Sequence, residues 1–188
     1  MNALITNQVN MLGLSVYQQF DSEYISKEMD RIGSVSKNEI IAELSDGQLE
    51  LIKTSLLFYY LALAYQQENQ IDSAVFYHKV SADVYLNPLS TLKIAQLYSL
   101  GIEDYSKDIK KAYSELHKGM EILSEISLVD PSHVYIRLTR DFCSLLQESI
   151  QSDGALTPEV LADLRNELKE KLPNFIDQFK SMYSLAAN

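Results

Sequence analysis

The chain has no tryptophan, one cysteine, four prolines and six glycines among its 188 residues. Each scarcity excludes something. A single thiol, Cys143, cannot close an internal disulfide, so the fold does not depend on an oxidising compartment. Within the apolar run RDFCSLL its simplest role is that of a small buried hydrophobe. Few turn-forming residues favour long helices over a many-turned sheet. Positive charge is also short, with 16 Lys and Arg against 26 Asp and Glu, for a net charge of −10. Nucleic-acid phosphates and anionic lipid both demand a basic surface, so neither is an expected partner. The longest apolar run, Leu56 to Tyr65, is half of the roughly 20 residues a spanning helix needs, and membrane insertion is not expected. No Lys or Arg precedes Lys27, and Asn and Gln interrupt the N-terminal apolar residues, unlike an uncleaved signal peptide. A soluble, cytoplasmic chain is the expectation; a secreted or periplasmic one stays open if a signal peptide has been removed.

What the chain does have is a composition 46% hydrophobic and 22% charged, with 12 tyrosines, suited to one ordered domain with its own core. Its centre, Leu56 to Met120, holds two passes of one helix–turn–helix pattern. Tyr65 aligns with Tyr98, 33 residues on, and Ala74 with Ala112, 38 residues on, so the second copy has five extra residues in its internal turn. Helical pairs that cannot bury their apolar faces alone stack into arrays.

Along the chain, Ile5, Val9, Leu12, Val16, Phe20 and Tyr24 form a helical stripe from Leu4 to about Ile32, with a break near Gly13. This helix either caps the array or docks on a second copy. Ser36 and Glu39 form a capping box ahead of Ile40, Ile41 and Leu44, and Asp46–Gly47 stops that short helix. Ser45 or Asp46 is expected to cap the next helix, Leu49 to about Gln67, which is apolar around most of its circumference. A helix from near Asp72 follows the turn QENQ. Asn87 as N-cap and Pro88 in the first turn then open a helix through Tyr98 that Gly101 ends. The loop GIEDYSKD leads to a helix from about Ile109 to Ser127. Asp130–Pro131 is expected to repeat the cap-then-proline start for a helix holding Val134, Leu138, Phe142, Leu145 and Ile150, which ends at Asp153–Gly154. Thr157–Pro158–Glu159 opens another, with Leu161, Leu164, Leu168 and Leu172 in a stripe, and beyond Pro173 a last helix carries Phe175, Ile176, Phe179, Met182 and Tyr183. The total is about eight or nine helices and no strand. The expected organisation is a single domain: an N-terminal helical cap over residues 1–47, repeats over 48–128 and C-terminal helices over 129–188.

Phe58, Leu61, Ala62, Tyr65, Ala74, Ser81 and Pro88 sit close to the spacing of the tetratricopeptide repeat, which the first pass resembles. Ala62 stands where that pattern has Gly, and His78 where it has Phe. The second pass, with Tyr98, Gly101 and DIKKAY, is similar to the Sel-one-like variant with its longer loop, but has Glu115 at an aromatic position and Gly119 at an Ala position. The resemblance covers about a third of the chain. It implies a short α-solenoid whose first helices line a concave groove for a peptide or partner helix. Position by position, it implies groove residues Tyr59, Leu63 and Gln66 in the first pair and Leu92, Gln96 and Ser99 in the second. Tyr59 and Leu63 stand where chaperone-binding members have Lys and Asn, so an apolar or amphipathic segment is the implied occupant. The acidic character and short array also resemble small bacterial secretion chaperones.

Catalytic and metal chemistry find little support. His78, His117 and His133 lack metal-ligand spacing, and the Glu103, Asp104 and Asp108 cluster lacks the alternating ligands and glycine of an EF-hand. A Cys143–histidine pair is an open possibility, yet the sequence has no phosphate loop, nucleophile elbow or paired carboxylates. The reading is a non-enzymatic interaction scaffold, an adaptor or chaperone, with no cofactor. Its rivals are an assembly component that oligomerises through its terminal amphipathic helices and a secreted regulatory effector with the same fold.

Overall fold

The computed structural model describes residues 22–46, 50–85, 87–101 and 106–170. Among them the protein is all-helical, with eight helical segments and no strand: α1 (Ser22–Gly33), α2 (Lys37–Ser45), α3 (Leu51–Gln67), α4 (Ile71–Val84), α5 (Pro88–Leu100), α6 (Ile109–Val129), α7 (Val134–Ser152) and α8, residues 158–170. The expected helices over residues 4–21 and beyond Pro173 lie outside the described residues, as do Glu103 and Asp104 of the long turn.

The helix ends follow local chemistry. Ser36 and Glu39 form the capping box at α2, with Glu39 also accepting from the Ser36 backbone N–H at 2.8 Å. Asn87 Oδ1 accepts from Leu89 N at 3.0 Å and Pro88 occupies the first turn of α5, where a missing N–H costs nothing. Gly101 closes α5 in the left-handed region at φ 63°. The α3–α4 turn uses Asn69 instead, at φ 60°, while Gln70 N reaches back to Tyr65 O at 2.9 Å.

Two starts differ from expectation. Neither Ser45 nor Asp46 caps α3: Asp46 terminates α2, and the N-cap of α3 is Glu50, without a side-chain bond to the helix. Asp130 and Pro131 do not open α7 either. The Asp130 carboxylate accepts from the Ser132 N–H and hydroxyl, at 2.9 and 2.7 Å, and so builds a turn. His133 then takes the cap, its Nδ1 accepting from Tyr135 N at 3.1 Å.

Two antiparallel pairs, α3/α4 and α5/α6, stack side by side, with α7 against both α5 and α6. Ala74 and Ala112, the aligned small residues, are both completely buried. Gly119 has a similar cause: a Cβ there would stand 2.9 Å from Leu92 Cδ2, so the smallest residue admits the α5 leucine. Core residues Leu56, Leu57, Leu61 and Ile122 join the first pair to α6, while Leu92, Ala95 and Leu116 centre the second pair. Burial of each such aliphatic side chain stabilises the fold by roughly 1.5–3 kcal/mol.

The junction between the pairs is polar and buried. Ser55 and Ser81 exchange hydroxyl-to-carbonyl bonds of 2.8 and 2.7 Å, which lock α3 to α4. Asn87 Nδ2 donates to both hydroxyls at 3.2 Å, and Ser90 Oγ donates to Ser81 Oγ at 2.8 Å, which adds α5. His78 completes the network through Nδ1, 3.4 Å from Ser90 Oγ. Because the Ser90 proton points to Ser81, His78 Nδ1 must donate, leaving Nε2 as a bare acceptor in a fully buried ring. Burial, with a smaller effect from Lys93, pushes the His78 pKa down to about 3, so the ring is neutral. His78 is therefore a core residue that also satisfies a serine.

At the N-terminal side, Arg31 bridges Glu28 and Glu43, each at 2.9 Å, and Lys53 meets Glu43 at 2.6 Å, joining α1, α2 and α3. The Tyr24 hydroxyl donates to Glu50 at 2.5 Å, and Val134 N donates to Ser22 Oγ at 2.8 Å. With Ile25 and Ile32 buried, α1 is thus fixed between α3 and the start of α7.

Candidate functional site

The first helices of the two pairs, α3 and α5, do not face an open channel. Helix α1 flanks them on one side and α7 on the other, leaving a pocket of about 330 Å³ between the four. Its α3 wall is Tyr59, Tyr60 and Leu63, and its α5 wall is Leu89, Leu92 and Lys93. Met29 of α1 and Leu138, Thr139 and Phe142 of α7 close the sides.

Helical spacing explains the convergence. Tyr59 and Leu63 are one turn apart on α3, as are Leu138 and Phe142 on α7, so each pair projects from one face. Thr139 donates its Oγ1–H to Tyr135 O of its own helix at 2.7 Å, so its hydroxyl proton is already engaged. The surface is therefore apolar apart from the Tyr59 and Tyr60 hydroxyls and the Lys93 ammonium. Burial pushes the Tyr59 pKa up to about 12, and it raises that of Tyr60 with help from the nearby Asp30 charge. Both phenols are neutral hydrogen-bond groups at ordinary pH.

Three of the six expected groove residues, Tyr59, Leu63 and Leu92, come together here. Leu92 is wholly buried and forms the floor, so its part is shape. The other three do not line the pocket. Gln66 is half-buried, its Oε1 without a partner among the described residues, Ser99 is buried with its hydroxyl on Gln96 O at 2.8 Å, and Gln96 accepts from Lys93 Nζ at 3.2 Å. Sequence reasoning missed Lys93 and did not name which residues of α1 and α7 reach the pocket. Only Leu138 and Phe142 carried a signal, as members of the apolar stripe of α7.

The rim is apolar as well. Leu138 is 54% exposed and Leu145, two turns on, is 66% exposed. A second depression of about 370 Å³, between Ser22, Glu23 and Ser26 of α1 and Asp130, Ser132 and Arg137, is polar and lies at the solvated edge.

The remaining chemical candidates stay apart. His78 belongs to the junction network, His133 caps α7, and His117 Nε2 lies 2.8 Å from the Tyr113 hydroxyl one turn away on α6. Burial lowers the His117 pKa, and burial raises that of the Cys143 thiol against a weaker contrary pull from Thr139. A raised thiol pKa is the reverse of what a nucleophile needs. Among the described residues no group of His, Cys, Asp and Glu converges to hold a metal ion, and no helix is long and apolar enough to cross a membrane. Comparison with family models, with curated proteins and with solved structures gives no match for this chain.

Proposed function

We propose that the protein is a non-enzymatic interaction scaffold of tetratricopeptide-like build, an adaptor or chaperone. A segment of its partner lies across the face formed by α3, α5 and α7 and seats an apolar side chain in the pocket between them. The observation that carries this reading is the pocket itself, where Tyr59, Leu63 and Leu92 converge beneath a rim that leaves Leu138 more than half exposed. An apolar hollow within an exposed apolar rim is the form of an anchor site for a protein partner. Paired helices closed by small buried residues, Ala74 and Ala112, support the repeat reading, and the departures at His78 and Gly119 have packing causes.

Leu63 is the residue to change, because it lines the pocket while only half-buried, whereas charging Leu92 would destroy the floor. Leu63→Glu should abolish partner retention with helical content preserved. Phe76→Glu, at an exposed position of α4, should leave retention intact. Retention by Leu63→Glu would remove the pocket from the account.

A second reading rests on the same α7 stripe: Leu138 and Leu145 could bury each other between two copies. Mass in solution separates the two. A monomer at every concentration eliminates self-association, and a dimer broken by Leu145→Glu alone would favour it.

A further inference from the structure

The pocket wall carries a cation, Lys93, that meets no carboxylate among the described residues. Six other described lysines, at positions 27, 37, 53, 107, 111 and 118, each meet a carboxylate. Half-buried Lys93 does not: among the described residues its Nζ has only the neutral Gln96 Oε1, at 3.2 Å, and the Phe142 ring, whose centroid is 5.3 Å away. Burial lowers its pKa, the direction expected of an ammonium that has given up water without receiving a negative charge. In a chain with ten more negative than positive charges, a half-buried lysine with no carboxylate partner among the described residues, set in a largely apolar pocket wall, is a specific placement.

We propose that the segment docked here carries a single acidic side chain beside its apolar anchor, the anchor filling the pocket and the carboxylate pairing with Lys93 Nζ. This rests on the scaffold reading and narrows it. Size favours side chains over a whole element: a helix with its side chains is about 10 Å across and cannot enter a hollow of about 330 Å³, but one or two large side chains can. Charge favours one carboxylate over a run of them. The net charge of −10 repels an acidic segment at a distance, while solvent and salt screen that repulsion over about 8–10 Å. Contact at Lys93 takes place in a drier setting, where a close pair is felt strongly. The recognised segment is therefore neutral or basic overall, with Asp or Glu within one helical turn of a Leu, Phe or Met.

Selection of a random peptide library on the full chain, followed by affinity measurement, tests this. Binders should carry that acid-plus-anchor pattern and lose their hold on Leu63→Glu. Lys93→Met, which keeps the apolar stem, should weaken them about tenfold or more while leaving the Glu→Gln versions of the same peptides unchanged. Selection on Lys93→Glu should replace the acid with Lys or Arg. Thermal melts of both Lys93 variants establish that they fold. Binders that need Leu63 but show no acid preference, or an acid preference that survives Lys93→Met, would overturn the inference and leave the scaffold reading standing. No binder sensitive to Leu63→Glu would overturn both.

Discussion

His78 makes the fold acid-sensitive in a way that can be worked out beforehand. In the unfolded chain it takes up a proton at its ordinary value of 6.5, but in the folded protein burial holds it neutral down to about 3. Between those values the unfolded state binds the extra proton, so stability falls as pH falls through 6.5. From pH 7.5 to 4.5 the unfolded state gains about 3 kcal/mol from this one group, a little over half of the roughly 5 kcal/mol that the full shift represents. Carboxylates held below their ordinary range, such as Glu43 beside Arg31 and Lys53, also lose stabilisation on acidification. A matched variant separates the two contributions. His78→Asn keeps an amide N–H for Ser90 Oγ and removes the titrating ring, so the carboxylate part is shared and cancels. Urea unfolding followed by far-ultraviolet circular dichroism, with no tryptophan to report, gives the free energy of each protein at both pH values. Wild type should lose about 2–3 kcal/mol more than His78→Asn over this interval. Equal losses would mean that the ring titrates as in water, which would refute the buried, neutral His78.

Other perturbations probe the same frame. Asn87→Ala removes the α5 N-cap and both donations to Ser55 and Ser81, and should cost about 2–4 kcal/mol in urea unfolding. Gly119→Ala should destabilise by about 1–2 kcal/mol despite alanine's better helix propensity, since its Cβ would stand 2.9 Å from Leu92 Cδ2; a gain in stability would contradict that packing. Gly101→Ala forces a left-handed φ of 63° and a 2.6 Å approach to Lys107 Cβ, so its melting temperature should drop, and Gly154→Ala, with open space around it, should drop less. Arg31→Met should loosen α1 from α2 and α3, seen as faster amide exchange in α1 with little change in α5.

Sequence legibility followed the range of the interactions. The capping box at Ser36 and Glu39, the Asn87–Pro88 start and the Gly101 stop involve neighbours within a turn, and residue type alone announces them. Asp130 misled because the same carboxylate can cap a helix or close a turn, and the choice fell to His133, whose imidazole nitrogen accepts as well as a serine oxygen does. The site was half legible for a related reason. Tyr59, Leu63 and Leu92 are implied position by position by the tetratricopeptide resemblance, and helix spacing then sets Tyr59 and Leu63 on one face. That α1 and α7 flank them depends on contacts such as Val134 N to Ser22 Oγ, between residues 112 positions apart, which no local pattern encodes. Lys93 was invisible for the same cause: between Leu92 and Ile94 it reads as the solvated side of an amphipathic helix, and only α7 laid against it makes it half-buried.

The central claim is that partner binding goes through this pocket, and retention from a native extract tests it most directly when pocket and control variants run side by side. Wild type and Phe76→Glu should retain the same protein in the same amount, and Leu63→Glu and Leu138→Glu should lose it while keeping wild-type circular dichroism. Retention by the folded Leu63→Glu and Leu138→Glu proteins, or loss confined to Phe76→Glu, would contradict the account.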